Sequence, residues 1–226
     1  MVINGRDPQV LEATAAELRA ATGASIETVA ADVSTEDGRA AVLAACAEPD
    51  ILVTNNGGPP LRSFADATPS DWQAALDANM LAALFLIQAV LPGMSARNFG
   101  RIVNITSAMV KSPHPLMGLS TAARAGLTAL AKAVSREVAR DNVTINNLLP
   151  ERFDTDRQRD MADLAMRLTG KTYEEARADQ EATIAAGRLG RPEEFGDACA
   201  FLCSAQAGFI SGQNLQLDGG SYVGLI

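Results

Sequence analysis

The sequence contains few of the residues that form metal centres, disulfides or nucleic-acid surfaces. Its 226 residues include one histidine, three cysteines and no run of basic residues, and the net charge is −8. Nucleic acids bind to a concentrated cationic face, so we expect no nucleic-acid partner. Cys199 and Cys203 lie four residues apart, but the chain has no second cysteine pair and only His114 to complete a metal site. We therefore expect reduced, buried thiols and no bound metal.

Long hydrophobic runs are also scarce. The longest apolar stretch, Met80 to Met94, is interrupted by Gln88 and Pro92, and it is shorter than the roughly 20 residues that cross a bilayer. No charged leader with an apolar segment behind it occurs at the N-terminus, and such a leader is the mark of a secreted protein. We therefore expect a cytoplasmic protein that does not bind membranes.

Short apolar runs alternate with amphipathic stretches from one end of the chain to the other. The runs that predict strands lie at 26–33, 50–54, 101–106, 143–149 and 214–217. Strands that alternate with helices form βαβ crossovers and a parallel sheet covered on both faces. Because no repeat, linker or compositional break divides residues 1–226, we predict one α/β domain with a doubly wound, mostly parallel, Rossmann-like sheet.

Six sequence segments occur in an order that points to one family. The segments are Asp32-Val33, Asn55-Asn56-Gly57-Gly58, Asn79 within Leu76–Met80, Gly100–Ser107, Arg188–Glu194, and Ser211–Gln213 followed by Asp218-Gly219-Gly220. Together they span nearly the whole chain and resemble the short-chain dehydrogenase/reductase family, in particular its bacterial 3-oxoacyl-carrier-protein reductase-like branch.

The resemblance implies an NAD(P)-dependent oxidoreductase with a small carbonyl or alcohol substrate. In open α/β sheets, ligands bind beyond the carboxyl ends of the strands. The resemblance and this rule assign cofactor contacts to Asp32, Val33, Asn55, Asn56, Gly57 and Pro150, and catalytic roles to Ser107 and Asn79. The resemblance also implies a variable substrate lid over residues 156–187, and a homodimer or homotetramer formed through long helices centred on Leu84 and Leu130.

The front of the dinucleotide site departs from the family pattern. No G-x-G-x-x-G turn occurs, and Met1 stands almost at the second strand of the pattern. About thirty residues of a βαβ unit, the first β-strand with its glycine-rich turn and helix, therefore have no counterpart. That strand would lie between the strands that end near Asn4 and Asn55, and its absence leaves two facing rows of unpaired backbone groups. We expect the natural gene, or a functional parent, to encode such a segment ahead of Met1.

The end of the first strand in this chain indicates which dinucleotide binds. It reads Asn4-Gly5-Arg6-Asp7. An acidic residue here would bind the 2′-hydroxyl of NAD, whereas an arginine accommodates the 2′-phosphate of NADP. Asp7 precedes Pro8 and is a predicted helix N-cap, which leaves Arg6 as the ligand. We therefore predict NADP as the cofactor, with NAD the less favoured alternative.

The proton donor departs from the pattern as well. The family carries a tyrosine and, four residues later, a lysine at the start of the long helix. Aligned on Ala122–Thr128, these two places fall on Met117 and Thr121. A thioether has no proton to give, and a hydroxyl has no charge. Lys111 and His114 are the candidate replacements, His114 because an imidazole titrates near neutral pH.

Two further residues are unusual for the family. Arg124 replaces an apolar residue of the helix pattern and could anchor an anionic substrate or the cofactor. Glu151 stands where the family has a glycine, and a carboxylate there would repel a phosphate. Two interpretations remain open. One is an NADP-linked oxidoreductase with a non-standard proton donor, impaired in this chain; the other is a catalytically silent homologue that only binds ligands or assembles with paralogues.

Overall fold

The predicted apolar runs fold into strands, and one or more helices lie between each strand and the next along the chain. The computed structural model describes residues 1–225. Within that range the strands are β1 (Val2–Gly5), β2 (Glu27–Ala30), β3 (Ile51–Thr54), β4 (Gly100–Ile105), β5 (Val143–Pro150) and β6 (Asn214–Leu217). The α-helices are α1 (Pro8–Thr22), α2 (Glu36–Ala45), α3 (Pro69–Leu76), α4 (Ala82–Ala96), α5 (Gly118–Val138), α6 (Asp156–Thr169), α7 (Tyr173–Ala182) and α8 (Pro192–Cys203). The predicted α/β fold is confirmed.

All strand pairs are parallel, and they form two sheets. β1 pairs with β2, and the other four strands pair in the order β3-β4-β5-β6. Within residues 1–225 no ladder joins β1 to β3. The sheet is parallel as predicted, and it is divided where the sequence pattern lacks a strand. At this division β3 leaves Ile51 and Val53 47% and 44% exposed.

The core lies around β4 and β5, which have neighbours on both sides. Successive side chains of a strand point to opposite faces of the sheet. Ile102 and Ile145 pack on one face with side chains of α4 and α5, while Val103 and Leu148 pack on the other face with Leu202 of α8. Helices therefore cover both faces of these strands, as a buried parallel sheet requires.

A long helical stretch, Pro69–Ala96, contains a local π-helical segment. α3 begins at a capping box made by Thr68 and Asp71, and the π segment Asp77–Leu81 joins α3 to α4. The stretch has 28 residues, and its most apolar window has a mean hydropathy of 1.8, so by length and composition it could cross a membrane. The apolar run from Met80 to Met94 lies mostly in the second half of this stretch. Its inner face packs beside β4 and β5, which is the position of a core helix.

Residues 156–187, the predicted lid, contain α6 and α7 and belong to an excursion that leaves and rejoins the domain at one place. Asp154 N donates to Gly190 O at 2.8 Å, and Gly190 N donates to Arg152 O at 2.9 Å. An isolated parallel bridge between Phe153 and Gly190 closes the two ends. The lid segment is largely helical, and its role over a substrate stays a prediction.

Candidate functional site

The carboxyl ends of β1, β2 and β3 meet around a cleft of about 230 Å³. Parallel strands end at the same edge of a sheet, which is why residues far apart in the sequence converge there. The cleft is lined by Asn4, Gly5, Arg6, Ala31, Asp32, Val33, Asn55, Asn56 and Gly57. Six of the seven residues predicted to contact a cofactor are among them. The seventh, Pro150, ends β5 and does not line the cleft.

At the mouth of the cleft, the carboxylates are engaged and the guanidinium is exposed. The Asp32 carboxylate accepts hydrogen bonds from Ser34 N at 2.9 Å and Ser34 Oγ at 2.7 Å. These bonds, with a smaller contribution from the Arg6 charge, hold the pKa of Asp32 below its usual value. Asp7 caps α1, as predicted, by accepting from Gln9 N at 2.8 Å. Arg6 is exposed and so is accessible to an anionic ligand.

The loop after β3 is held by the π-helical segment. Asn56 Nδ2 donates to Ala78 O at 3.0 Å, and Asn79 Nδ2 donates to Gly57 O at 3.3 Å. π-Helical turns inside α-helices are frequent at functional sites. A Cβ built on Gly57 would meet no atom within 4 Å. The glycine therefore leaves space in which a ligand can approach the backbone closely.

Ser107 follows β4 at the same edge of the sheet. Its Oγ accepts a hydrogen bond from Met109 N at 3.2 Å and caps a short 3-10 turn. The residue is 8% exposed, and its hydroxyl hydrogen can still be donated to a substrate oxygen. Asn79 is 6% exposed, and its Oδ1 has no partner among residues 1–225. An unpartnered buried polar atom is rare in native proteins, and a ligand or a catalytic role is one explanation.

Lys111 and His114 lie on the loop that leads to α5, and both make contacts of their own. His114 is exposed, and its Nδ1 accepts a hydrogen bond from Leu116 N at 3.3 Å. The Lys111 ammonium lies 5.3 Å from the ring centroid of Tyr222. No hydrogen bond among residues 1–225 joins either side chain to Ser107. Their catalytic roles stay predictions.

A serine and an arginine four residues apart bring a hydroxyl and a cation to the inner side of α5. Ser120 is 4% exposed, and its Oγ has no hydrogen-bond partner within residues 1–225. Arg124 is half-buried and donates from Nη2 to Asn56 O at 3.2 Å. Burial, and to a lesser extent the charge of Arg157, lowers the pKa of Arg124 to about 10.

The sequence did not point to Ser120, because the alignment put the tyrosine and the lysine of the family pattern at Met117 and Thr121. The signal that could have found Ser120 is the phase of the helix. Leu119, Ser120 and Ala123 are buried on α5, whereas Met117 lies ahead of the helix. When the first of two residues four apart must lie on the buried face of α5, the pair is Ser120 and Arg124.

A ladder of hydrogen-bonded polar side chains crosses the four-stranded sheet. Thr54 Oγ1 donates to Asn104 Oδ1 at 2.7 Å, Asn104 Nδ2 to Asn147 Oδ1 at 3.0 Å, and Asn147 Nδ2 to Asn214 Oδ1 at 2.8 Å. The four residues are paired in register across β3, β4, β5 and β6. Since Thr54 immediately precedes Asn55, the ladder also fixes where the cleft-lining loop begins.

Glu151, just beyond β5, has a carboxylate that is easier to protonate than usual. Burial raises the pKa of Glu151, Asp218 raises it further, and Arg152, 3.8 Å away, opposes the shift. The repulsion of a phosphate predicted at this position stays a prediction.

Known proteins resemble this chain in sequence and in fold. A family model described as enoyl-(acyl carrier protein) reductase matches residues 1–222. The 3-oxoacyl-[acyl-carrier-protein] reductase FabG of Vibrio cholerae serotype O1 is 33% identical over 174 residues, which are 77% of this chain and 67% of that protein. YwfH, an NADPH dependent reductase involved in bacilysin biosynthesis, has a crystal structure that matches with a TM-score of 0.92 at 28% identity, over 99% of this chain and 89% of its own. L-Sorbose reductase from Gluconobacter frateurii, complexed with NADPH and L-sorbose, matches with a TM-score of 0.93 at 27% identity, over 99% of this chain and 87% of its own.

The sequence and the structure agree on the family. The family model covers nearly the whole chain, and FabG shares a third of the aligned residues. The parallel strands bring two of the six motif segments, Asp32-Val33 and the loop from Asn55, to one cleft. The family predicted from the motifs is confirmed. The chain belongs to the short-chain dehydrogenase/reductase family of oxidoreductases.

Proposed function

We propose that the chain binds NADP(H) and acts as an oxidoreductase on a small carbonyl or alcohol, in the manner of a 3-oxoacyl reductase. The cleft between β1, β2 and β3 carries the proposal, because it collects six of the predicted cofactor residues. Two structural neighbours support the cofactor: YwfH is NADPH dependent, and L-sorbose reductase was crystallised with NADPH. The similarity to FabG supports a carbonyl substrate.

The residues of the cleft fit a phosphorylated dinucleotide. Arg6 is exposed at the end of β1, while Asp7 and Asp32 are engaged by backbone and serine donors. A guanidinium can bind a phosphate with two parallel hydrogen bonds, so Arg6 would hold the 2′-phosphate. The open space above Gly57 would receive a part of the dinucleotide that approaches the backbone. When bound, the nicotinamide supplies or accepts a hydride.

The residues beyond the cleft would position a substrate oxygen but offer a weak proton donor. Ser107 can donate its hydroxyl hydrogen to a substrate oxygen, and donors of this kind stabilise developing negative charge. A proton must also reach that oxygen, and Met117 has none to give. The hydroxyl of Ser120 is a weaker acid than a tyrosine phenol. General acid catalysis contributes about 10²–10⁴ in rate, so we expect turnover well below that of ordinary reductases.

A titration of the purified chain, followed by nicotinamide fluorescence, tests the cofactor assignment. We expect NADPH to bind more tightly than NADH. Arg6→Ala should weaken NADPH binding by about 10-fold or more, the value of one charge-assisted hydrogen bond, and leave NADH nearly unchanged. Arg140→Ala is the control, because Arg140 is an exposed arginine that does not line the cleft. Equal affinities for the two dinucleotides, or no binding of NADPH, would contradict the proposal.

A catalytically silent homologue is the second candidate function. The observation that favours it is that Lys111 and His114, the two candidate proton donors, are engaged with Tyr222 and Leu116. A steady-state assay of NADPH oxidation with carbonyl substrates separates the candidates. Enzyme-dependent turnover above the rate without protein, even if it lies well below the roughly 1–10³ per second of ordinary enzymes, would exclude the silent homologue. Loss of that turnover in Lys111→Ala, His114→Ala or Ser120→Ala would then identify the proton donor.

We also propose that the protein is a cytoplasmic homodimer or homotetramer. The helices predicted to form the contact between subunits, α4 and α5, carry apolar side chains outside the core. Phe85 on α4 is 41% exposed, and Leu130 on α5 is 36% exposed. Burial of such side chains stabilises an interface by removing apolar area from water. Light scattering at micromolar concentration should give the mass of at least two chains. A folded monomer at that concentration would contradict the proposal.

A further inference from the structure

Two guanidinium groups from different helices approach the loop after β3. Arg124 lies on α5, and Arg157 is the second residue of α6 in the lid segment. A Cβ built on Gly58 would lie 3.3 Å from Arg157 Nη1 and 3.9 Å from Arg124 Nη2. Both groups therefore reach one small region beside the loop, next to the cleft residue Gly57.

The positive charge of this pair is not neutralised within the described structure. Neither Arg124 nor Arg157 has a carboxylate within 4.0 Å among residues 1–225, whereas Arg152, Arg159 and Arg177 each have at least one. Arg124 donates one hydrogen bond, to Asn56 O. The like charge of Arg157 also contributes to the lowered pKa of Arg124. Two close cations without a counter-ion repel each other, and a bound anion would remove that repulsion.

The surroundings of the pair are fixed and contain further unused polar atoms. The loop that Arg124 contacts is held by Asn79, whose Nδ2 donates to Gly57 O at 3.3 Å. Asn79 Oδ1 and Ser120 Oγ have no partner among residues 1–225, although the two residues are 6% and 4% exposed. Buried polar atoms without partners are rare. Their occurrence on the elements that hold this pair is a second, independent indication of a polar ligand.

We propose that Arg124 and Arg157 bind the carboxylate of an anionic carbonyl substrate, such as a 2-oxo acid. Two guanidinium forks suit the two oxygens of a carboxylate. The 2′-phosphate of the dinucleotide has its own arginine, Arg6, at the other wall of the cleft. The pair contacts the side of the loop that follows the cleft-lining residues, next to the Asn79 segment. This inference rests on the proposed function, and it makes the lid contribute a charge that recognises the substrate.

Ligand-observed NMR with a matched pair of small carbonyl compounds tests the proposal. Pyruvate carries the carboxylate, and methyl pyruvate replaces it with an uncharged ester. We expect pyruvate to bind about 10-fold or more tightly than methyl pyruvate, with and without NADPH, because charge-assisted hydrogen bonds to two arginines are lost in the ester. Arg157→Gln and Arg124→Gln should each remove most of the preference for pyruvate. Arg157 is exposed, so its variant keeps the proposal testable even where Arg124→Gln fails to fold.

The control variant is Arg167→Gln, because Arg167 is exposed on the same helix but lies in the last turn of α6, about 15 Å along the helix axis from Arg157. It should keep the preference for pyruvate unchanged. Equal binding of pyruvate and its ester, or an equal loss in Arg167→Gln and Arg157→Gln, would overturn the proposal. Inorganic pyrophosphate and NADPH serve as competitors. If either displaces pyruvate from the wild-type chain and requires the same two arginines, the pair binds a cofactor phosphate and the assignment to the substrate is wrong.

Failure of this proposal is distinguishable from failure of the proposed function. The NMR measurement needs neither turnover nor bound dinucleotide. A chain that binds pyruvate through the two arginines but does not bind NADPH retains the anion site and loses the cofactor assignment. A chain that binds NADPH but not pyruvate retains the cofactor assignment and loses the anion site.

Discussion

The front unit (residues 1–45) and the back unit (residues 51–225) are built from the same alternation of strand and helix, yet they are packed very differently. No residue of β1 or β2 is buried, whereas five of six residues of β4 and seven of eight of β5 are. In the front unit α1 buries Leu11 and Ala15, and α2 buries Gly38. The back unit contains both clusters of buried apolar side chains.

The difference teaches that strand neighbours, more than local sequence, decide how well a parallel sheet packs. β4 and β5 are paired on both edges, whereas β1 is paired only with β2. Parallel strands are normally buried on both faces, and a two-stranded sheet cannot offer that environment. The proposed dinucleotide site is divided between the two units: Arg6, Asp32 and Val33 lie on the less buried front unit, and Asn55, Asn56 and Gly57 lie on the back unit. Regions with few buried contacts open locally at lower free energy.

The largest effect is expected from joining the two sheets. A strand, glycine-rich turn and helix added ahead of Met1 should pair with β1 and β3 and cover Ile51 and Val53. Each buried large apolar side chain contributes about 1.5–3 kcal/mol, and each kcal/mol shifts the Tm of a domain of this size by roughly 2–4 °C. We expect a rise in Tm of about 10 °C or more in calorimetry, and tighter NADPH binding because a helix N-terminus then faces the pyrophosphate.

The matched control for this extension has the same length but carries alternating lysine and glutamate in place of the apolar strand. It should change neither the Tm nor the affinity for NADPH. An apolar extension that leaves both quantities unchanged would show that β1 and β3 do not accept a strand between them.

The break between the two sheets could be predicted from the sequence, because it follows from the order of the strand and helix segments along the chain. β6 was predicted residue for residue at Asn214–Leu217, and the residues at strand ends follow from parallel topology alone. The partners that depend on register or on helix phase were not accessible. Asn104 and Asn147 meet because β4 and β5 pair in one register, which no local pattern specifies. Arg157 reaches Gly58 only because the lid segment folds back over the domain.

The next largest effect is the loss of stability when a buried leucine is truncated, and it should differ between the two units. Leu148 is fully buried in the back unit, and Leu11 is 7% exposed in the front unit. Leucine-to-alanine changes in cores cost about 2–5 kcal/mol, and the cost rises with the cavity that remains. We expect Leu148→Ala to lower the free energy of global unfolding by about 3–5 kcal/mol and Leu11→Ala by about 2 or less, as measured in urea. Equal losses would mean that both units unfold as one equally packed body.

Breaking the polar ladder, which lies in the back unit, should lower stability by a smaller amount. Asn147→Ala removes the acceptor of Asn104 Nδ2 and leaves a buried donor unpaired. The cost should be about 1–3 kcal/mol of unfolding free energy. Asn214→Ala is the control, because Asn214 is exposed and water can replace its role at the end of the ladder. If the two variants lose the same stability, the ladder contributes nothing beyond its exposed end.

The smallest effect is expected from removing the side chain that caps a helix in each unit. Asp7 caps α1 in the front unit, and Thr68 caps α3 in the back unit. Removing a capping side chain costs about 1 kcal/mol. Because we expect the less buried front unit to open locally, Asp7→Ala should speed hydrogen exchange of the α1 amides several-fold and leave the Tm of the whole chain unchanged. Thr68→Ala should lower the free energy of global unfolding by about 1 kcal/mol without selective exchange in α3. An Asp7→Ala variant that lowers global stability as much as Thr68→Ala would show that the two units unfold together, despite the break between their sheets.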